Sequence, residues 1–205
     1  MNFIPANAGV FLIYGVAWIL LIVSFGTYWY RMENAIAFET SYFSFNKIKT
    51  VDDNDNYFPI TFAEERLNER FLQILKISFA FSVLAWAILS LTLLFIFLSL
   101  AGILSKIPLP LPAITKVILP VITLGLCLLS MFIFFGTSNA RYEDCREHFK
   151  DSACIKEEFT FVYDNSWGKG GPYTGWIVVV VSTFLVLVGG IISFLFANYD
   201  GTTPT

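Results

Sequence analysis

Residues 77–105, ISFAFSVLAWAILSLTLLFIFLSLAGILS, run from Ile77 to Ser105 without one charged side chain. At roughly 1.5 Å rise per residue such a run outreaches the ~30 Å hydrocarbon core of a bilayer, so it reads as a membrane-crossing helix. The helical pattern continues upstream. Leu67, Phe71, Leu75 and Ser78 keep one stripe, while Glu64, Glu65, Arg66, Glu69 and Arg70 take the other faces. Thr61 followed by Glu64 is a capping-box pattern, and Pro59 ends the extended segment before it. The spacing predicts one rod from Thr61 to Lys106, whose first turns stand out of the bilayer and offer an apolar wall to a small cap.

The rest of the chain fits around that rod. Hydrophobic residues make up 56% of the sequence and charged ones 14%, with a mean hydropathy of +0.67, which is outside the range of ordinary soluble domains. The apolar residues gather into four blocks, about 8–30, 77–105, 117–136 and 175–197, each long enough for a transmembrane helix. The first lacks a basic leader and a convincing cleavage site, so it reads as retained rather than as a signal peptide. The expected fold is an all-α membrane four-helix bundle with a small extracellular β-sheet, a single four-transmembrane domain over residues 1–205. Its ectodomain is built from loops 31–76 and 137–174. Counted by Lys and Arg, the short connection has Lys106 and Lys116 and the large loops the other eleven, which under the positive-inside rule puts those loops in the cytoplasm. The basic residues there are mixed with acidic ones, however, and Cys145 and Cys154 suit an oxidising compartment. We therefore expect cytoplasmic N and C termini in a plasma membrane or endomembrane.

The loops change period. Phe43, Phe45, Ile48 and Thr50 lie in one β-prone run, and Phe58, Ile60 and Phe62 alternate in a second. Asp52, Asp53, Asn54 and Asp55 form a turn between them, so a hairpin is expected. The acidic turn has oxygens that suit Ca²⁺, but it lacks the Gly and distal Glu of an EF-hand loop, which favours a plain solvated turn. Past the third block a helical stripe of Ser138, Tyr142, Cys145 and Phe149 continues outward, and Ile155, Glu157, Phe159, Phe161 and Tyr163 share one face of a third strand. Cys145 and Cys154 are the cysteines outside the apolar blocks. A disulfide between them is favoured over two free thiols or a metal site, and would constrain the unfolded chain by roughly 2 to 3 kcal/mol. Tyr28, Trp29, Tyr30 and Arg31 form an interfacial anchor at the end of the first block. Lys106 to Pro112 alternates Pro with apolar residues as a stiff link. Gly189, Ser193 and Ala197 place small residues every four positions for close helix packing, within the bundle or with a neighbouring subunit.

The Gly171-Pro-Tyr-Thr-Gly-Trp176 junction resembles the Gly-x-x-aromatic-x-Gly-Trp signature with which claudin-type proteins enter their fourth span, and Trp29 with Arg31 resembles the Trp-basic pair at the exit of their first. The resemblance implies four helices, a long and partly β first extracellular loop, a shorter second one and a projecting third helix. The Gly-Leu-Trp and paired cysteines of the claudin first loop are missing, because residues 1–126 contain no cysteine. The paracellular barrier role is therefore not carried over.

These readings order the function classes. A single histidine, His148, and spans without paired carboxylates or a nucleophile motif speak against an enzyme. No metal or cofactor is called for, and nothing points to nucleic acid. The expected role is a structural or accessory membrane protein with a claudin-like adhesion or scaffold role, assembling laterally as a homo-oligomer or with other membrane proteins among membrane lipids. Contacts are expected at Asp52, Asp53, Asp55, Trp167, Tyr173 and Trp176. The alternative is a channel-associated subunit or an oligomeric pore former.

Overall fold

A computed structural model of the chain describes residues 5–34, 38–52, 57–60, 69–103, 111–149, 154–156, 159–165 and 168–199, with the backbone alone at 57–60. In chain order the elements are α1 (Pro5–Gly26), β1 (Tyr30–Asn34), β2 (Glu39–Phe43), β3 (Ile48–Asp52), β4 (Tyr57–Ile60), α2 (Glu69–Leu100) and α3 (Leu111–Ala113). A π-helical turn, Ile114–Ile118, then leads into α4 (Leu119–Phe135), α5 (Thr137–His148), β5 (Tyr163–Asn165), β6 (Gly168–Pro172) and α6 (Thr174–Phe196). The chain is mostly helical, and four helical stretches, Pro5–Gly26, Glu69–Leu100, Leu111–His148 and Thr174–Phe196, are long and apolar enough to cross a membrane.

Several boundaries differ from the sequence reading. The first helix stops at Gly26 instead of reaching residue 30, because Tyr30 already opens a strand. Helix α2 does begin ahead of the charge-free run, at Glu69. The capping box at Thr61 and Glu64 lies outside the described residues, as does the link from Lys106 as far as residue 110, but its last two residues, Leu111 and Pro112, are helical in α3 instead of extended.

The sheet is larger than a hairpin plus one strand. Its six strands run in the order β4-β3-β2-β1-β6-β5, every pair antiparallel. The run from Phe43 to Thr50 is not one strand: it breaks at a tight turn closed by the Ser44 amide donating to the Lys47 carbonyl at 3.0 Å, so β2 and β3 form their own hairpin. The third strand expected over 155–163 is also corrected, since the described backbone there is irregular until Tyr163. The rings of that stretch are drawn to helices instead. Phe161 packs on Phe134 and Phe135 at 5.7 and 4.8 Å, and Phe159 lies 5.9 Å from Tyr142. That packing outweighs the β propensity of the segment.

Chain contacts gather the molecule into two compact units, one of residues 1–22, 81–128 and 179–205, the other of residues 23–80 and 129–178. In the first, α1 buries Val10, Tyr14, Ala17 and Leu21 at helical spacing, with Ala85, Leu89 and Ile96 from α2 and Val179 and Val186 from α6. Trp18 stacks on Trp86 at 5.7 Å and its indole N–H donates to Ser90 Oγ at 2.7 Å. The amide of Asn198 donates to Asn7 Oδ1 at 3.0 Å, and Asn7 Nδ2 donates back to the Asn198 carbonyl at 2.6 Å, which ties the start of α1 to the chain just after α6.

The second unit holds the sheet, and its core is aromatic. Tyr30, Phe43 and Ile48 form one buried row across β1, β2 and β3, with Phe71 5.3 Å from Tyr30 and 5.2 Å from Phe43. Cys145 and Cys154 are joined in a disulfide that ties α5 to the segment leading toward β5.

Candidate interaction face on the sheet

Strand alternation sorts the sheet into two faces. Opposite the buried row, Arg31, Tyr42 and Lys49 are cross-strand neighbours on β1, β2 and β3, followed by Glu33, Thr40 and Val51, and β6 adds Gly171 and Lys169 in register with Arg31 and Glu33. This outer face mixes both charges around tyrosines. Arg31 pairs with Glu33 at 3.0 Å, and its guanidinium lies 5.8 Å from the Tyr42 ring centre. Tyr42 in turn meets Tyr28 at 5.7 Å and Tyr173 at 5.3 Å, and the Lys47 ammonium sits 5.3 Å from the Tyr28 ring centre.

Two clefts flank this cluster. One of about 560 Å³ is lined by Tyr28, Thr40, Tyr42, Lys49, Asp52 and Tyr173, among others. The other, about 300 Å³, includes Arg31, Glu33, Tyr163, Asp164, Lys169 and Tyr173. Tyr173 is common to both.

The glycines explain how so glycine-rich a segment forms a strand. A Cβ on Gly168 would strike the Glu33 carbonyl, and one on Gly170 would strike the Tyr163 ring, so β6 approaches its neighbours only because these positions are bare. Tyr163 pairs with Gly170 across the strands, covering it. Gly175 plays the same part at the start of α6, where a Cβ would meet the Trp29 ring and the Tyr28 carbonyl.

Behind the face, the buried side of α5 is charged, in contrast to the stripe expected there. Thr137, Ala140, Arg141 and Asp144 are its buried residues, whereas Ser138, Tyr142 and Cys145 are half-buried and Phe149 exposed. Arg141 sits among three rings, with guanidinium-to-centroid distances of 4.4 Å to Tyr163 and 5.6 Å to both Tyr30 and Phe159. Its Nη1 donates to Tyr30 Oη at 2.5 Å, and that hydroxyl donates to the Phe161 carbonyl at 3.1 Å. Burial pushes the Tyr30 phenol up to about 12 against the opposing pull of the Arg141 charge. Burial also raises Tyr163, again opposed by Arg141. Asp144 accepts from the amides of Arg70 and Phe71 at 3.0 and 2.9 Å, a capping contact on the first described turn of α2.

The structure brings some sequence-predicted residues to the outer face and not others. Asp52 ends β3 on the larger cleft and Tyr173 stands at its rim. Asp53, Asp55 and Trp167 lie outside the described residues. Trp176 packs inward, stacked on Phe134 at 5.5 Å. Of the four anchor residues, Trp29 and Tyr30 are buried in the core, while Tyr28 and Arg31 border the outer face. Gly189 faces Tyr14, Ser193 hydrogen-bonds Tyr199 and Ala197 is buried, so all three pack within this chain. Sequence reasoning missed Arg141 and Tyr42, and gave Tyr30 a place at the membrane interface instead of in the core. A buried arginine on a helix of mixed charge leaves no pattern, but the period-two sequence Thr40, Tyr42 beside Arg31, Glu33 was there to be read. Among the described residues no group of three or more His, Cys, Asp or Glu side chains is placed to hold a metal ion. The chain matches no protein-family model and no curated protein.

Proposed function

We propose that this is a structural or accessory integral membrane protein that crosses the bilayer four times and assembles, with copies of itself or with other membrane proteins, through the outer face of its sheet. Both termini are cytoplasmic and the sheet is on the opposite side, in a plasma membrane or endomembrane. Support for the bilayer comes from helix polarity, which is inverted relative to a bundle in water. Leu12, Ile19, Leu84, Val121 and Phe184 are exposed, while Ser82, Thr92, Thr123, Thr183 and Ser193 are buried. The hydroxyls of Thr92, Thr123 and Thr183 close on the carbonyl four residues back, which satisfies them without water. The disulfide supports an oxidising compartment for the sheet.

The observation that carries the assembly reading is the Tyr28, Tyr42, Tyr173 cluster between two clefts, bordered by both signs of charge. Tyrosines bring large contact area with little rotamer entropy and a polar tip, and interfaces are enriched in them. A distant claudin-like relationship is supported by the meeting of the two junctions that carry the resemblance. The Gly175 amide donates to the Tyr28 carbonyl at 2.8 Å and the Tyr173 amide to the Trp29 carbonyl at 2.8 Å.

The reading is tested with a photo-reactive side chain at position 49 in native membranes. Adducts with a second copy or with another membrane protein are expected, and Tyr42→Ala with Tyr173→Ala lowers their yield roughly tenfold, as loss of an aromatic hot spot would. A chain that yields no adduct and purifies as a lone monomer contradicts it.

A further inference from the structure

We propose that a groove between α4 and α6 binds one anionic phospholipid, its acyl chain lying in the groove and its phosphate meeting Lys116. The proposal rests on the membrane-spanning reading above. The groove begins with Pro120, which has no amide to give to the carbonyl of Lys116 four residues earlier. The chain answers with the π-helical turn Ile114–Ile118, in which the Leu119 amide reaches back to the Ile114 carbonyl, and the freed Lys116 carbonyl accepts from Ser193 Oγ at 3.4 Å. On the facing helix Gly190 has no side chain, and a Cβ there would lie 3.7 Å from Tyr14 Oη and 3.8 Å from Pro120.

The result is a cleft of about 300 Å³ whose lining includes Pro120, Val121, Leu124, Gly190 and Phe194, with Lys116 the one charged side chain among the described lining residues. From Lys116 to Leu124 the helix rises roughly 12 Å, which gives a narrow apolar slot with a cation near one end. That pairing matches a lipid with an anionic head and an apolar tail. A second copy's helix, about 10 Å across, fits poorly in such a slot. The small residues Gly189, Ser193 and Ala197, which would let another helix approach, are already packed within the chain, while Phe194 and Leu195 are 60% and 59% exposed beside the slot.

The test places the full chain in nanodiscs of equal parts phosphatidylcholine and phosphatidylglycerol, doped with a trace of one lipid or the other carrying a diazirine in its acyl chain, and maps labelled peptides. Two variants accompany it: Lys116→Gln, and Val121→Trp, which fills the groove from a position 62% exposed. Label is expected within residues 117–124 and 187–195, with phosphatidylglycerol preferred about fivefold, the effect of one basic residue at an anionic surface. Lys116→Gln should abolish the preference and Val121→Trp the label itself. Equal labelling by both lipids in the unaltered chain, crosslinking of position 121 to a second copy, or no label in the groove would each overturn the proposal. Extraction of the chain from native membranes by carbonate would overturn the membrane reading with it, whereas a carbonate-resistant chain without groove label sinks the lipid site alone.

Discussion

Replacing Tyr30 by Phe removes one oxygen and nothing else, and that oxygen has two partners. Its hydroxyl accepts from Arg141 Nη1 at 2.5 Å and donates to the Phe161 carbonyl at 3.1 Å, while the ring stays against Phe71 and Phe134. A bond to a charged partner contributes about 2 kcal/mol and a neutral one about 1, so Tyr30→Phe should destabilise the fold by about 3 kcal/mol. A pH signature accompanies the loss. The folded phenol titrates near 12 instead of 10.0, so its contribution is fully present below pH 10 and is lost as pH rises to about 12. Holding the proton across that interval is worth about 2 to 3 kcal/mol. Unfolding of the detergent-solubilised chain, followed by tryptophan fluorescence across pH 8 to 12, reads both. Tyr163, which burial also raises, keeps an alkaline step of the same sign in the variant. A Tyr30→Phe chain within about 0.5 kcal/mol of the unaltered one, with the full loss of stability above pH 10 intact, would refute the Arg141 cage as a source of stability.

Substitutions at four further positions probe the same unit, with Gly125 in the other unit as a control. Replacing Cys145 and Cys154 with Ser opens a short loop and should lower stability by about 2.5 kcal/mol, and a non-reducing peptide map of the native chain should show the two joined. Asp144→Ala strands the amides of Arg70 and Phe71 and should destabilise by about 2 kcal/mol, with Asp144→Asn near half of that because one acceptor remains; equal effects would contradict the capping role. Gly175→Ala drives a methyl into the Trp29 ring and should cost at least 1 kcal/mol by thermal unfolding, whereas Gly125→Ala, where a Cβ meets nothing within 4 Å, should not destabilise.

The four long helices were legible because residues 77–105 and their counterparts are apolar over lengths that no strand or loop requires. The disulfide was legible too, because Cys145 and Cys154 are the pair outside those runs. The sheet was only half visible. Phe43 and Ile48 have the composition of one strand, and the turn between them, Ser44-Phe45-Asn46-Lys47, has no Gly or Pro and carries its turn signal only in Ser44 and Asn46, either side of a β-prone Phe45. Strand β6 is Gly-Lys-Gly-Gly-Pro, which reads as a turn and becomes a strand only because Tyr163 and β1 come close enough to need bare backbone. The shift of Trp29 and Tyr30 from a membrane-interface anchor to the core has a similar origin. The aromatic run looks interfacial in isolation, and only the long-range partners Phe43, Phe71 and Phe134 draw it inward. The outer face was hidden for the complementary reason: its members lie on different strands, and register, not spacing, brings them together.

In the topology we propose, four crossings put the sheet on one side of a bilayer and Lys106 on the other. Intact cells treated with an impermeant amine reagent, before and after permeabilisation, test it by mass spectrometry of individual lysines. Lys47 and Lys169 should be modified in intact cells and Lys106 only once the membrane is opened. Modification of Lys47 and Lys169 from opposite sides, or of Lys106 together with Lys47, would contradict it.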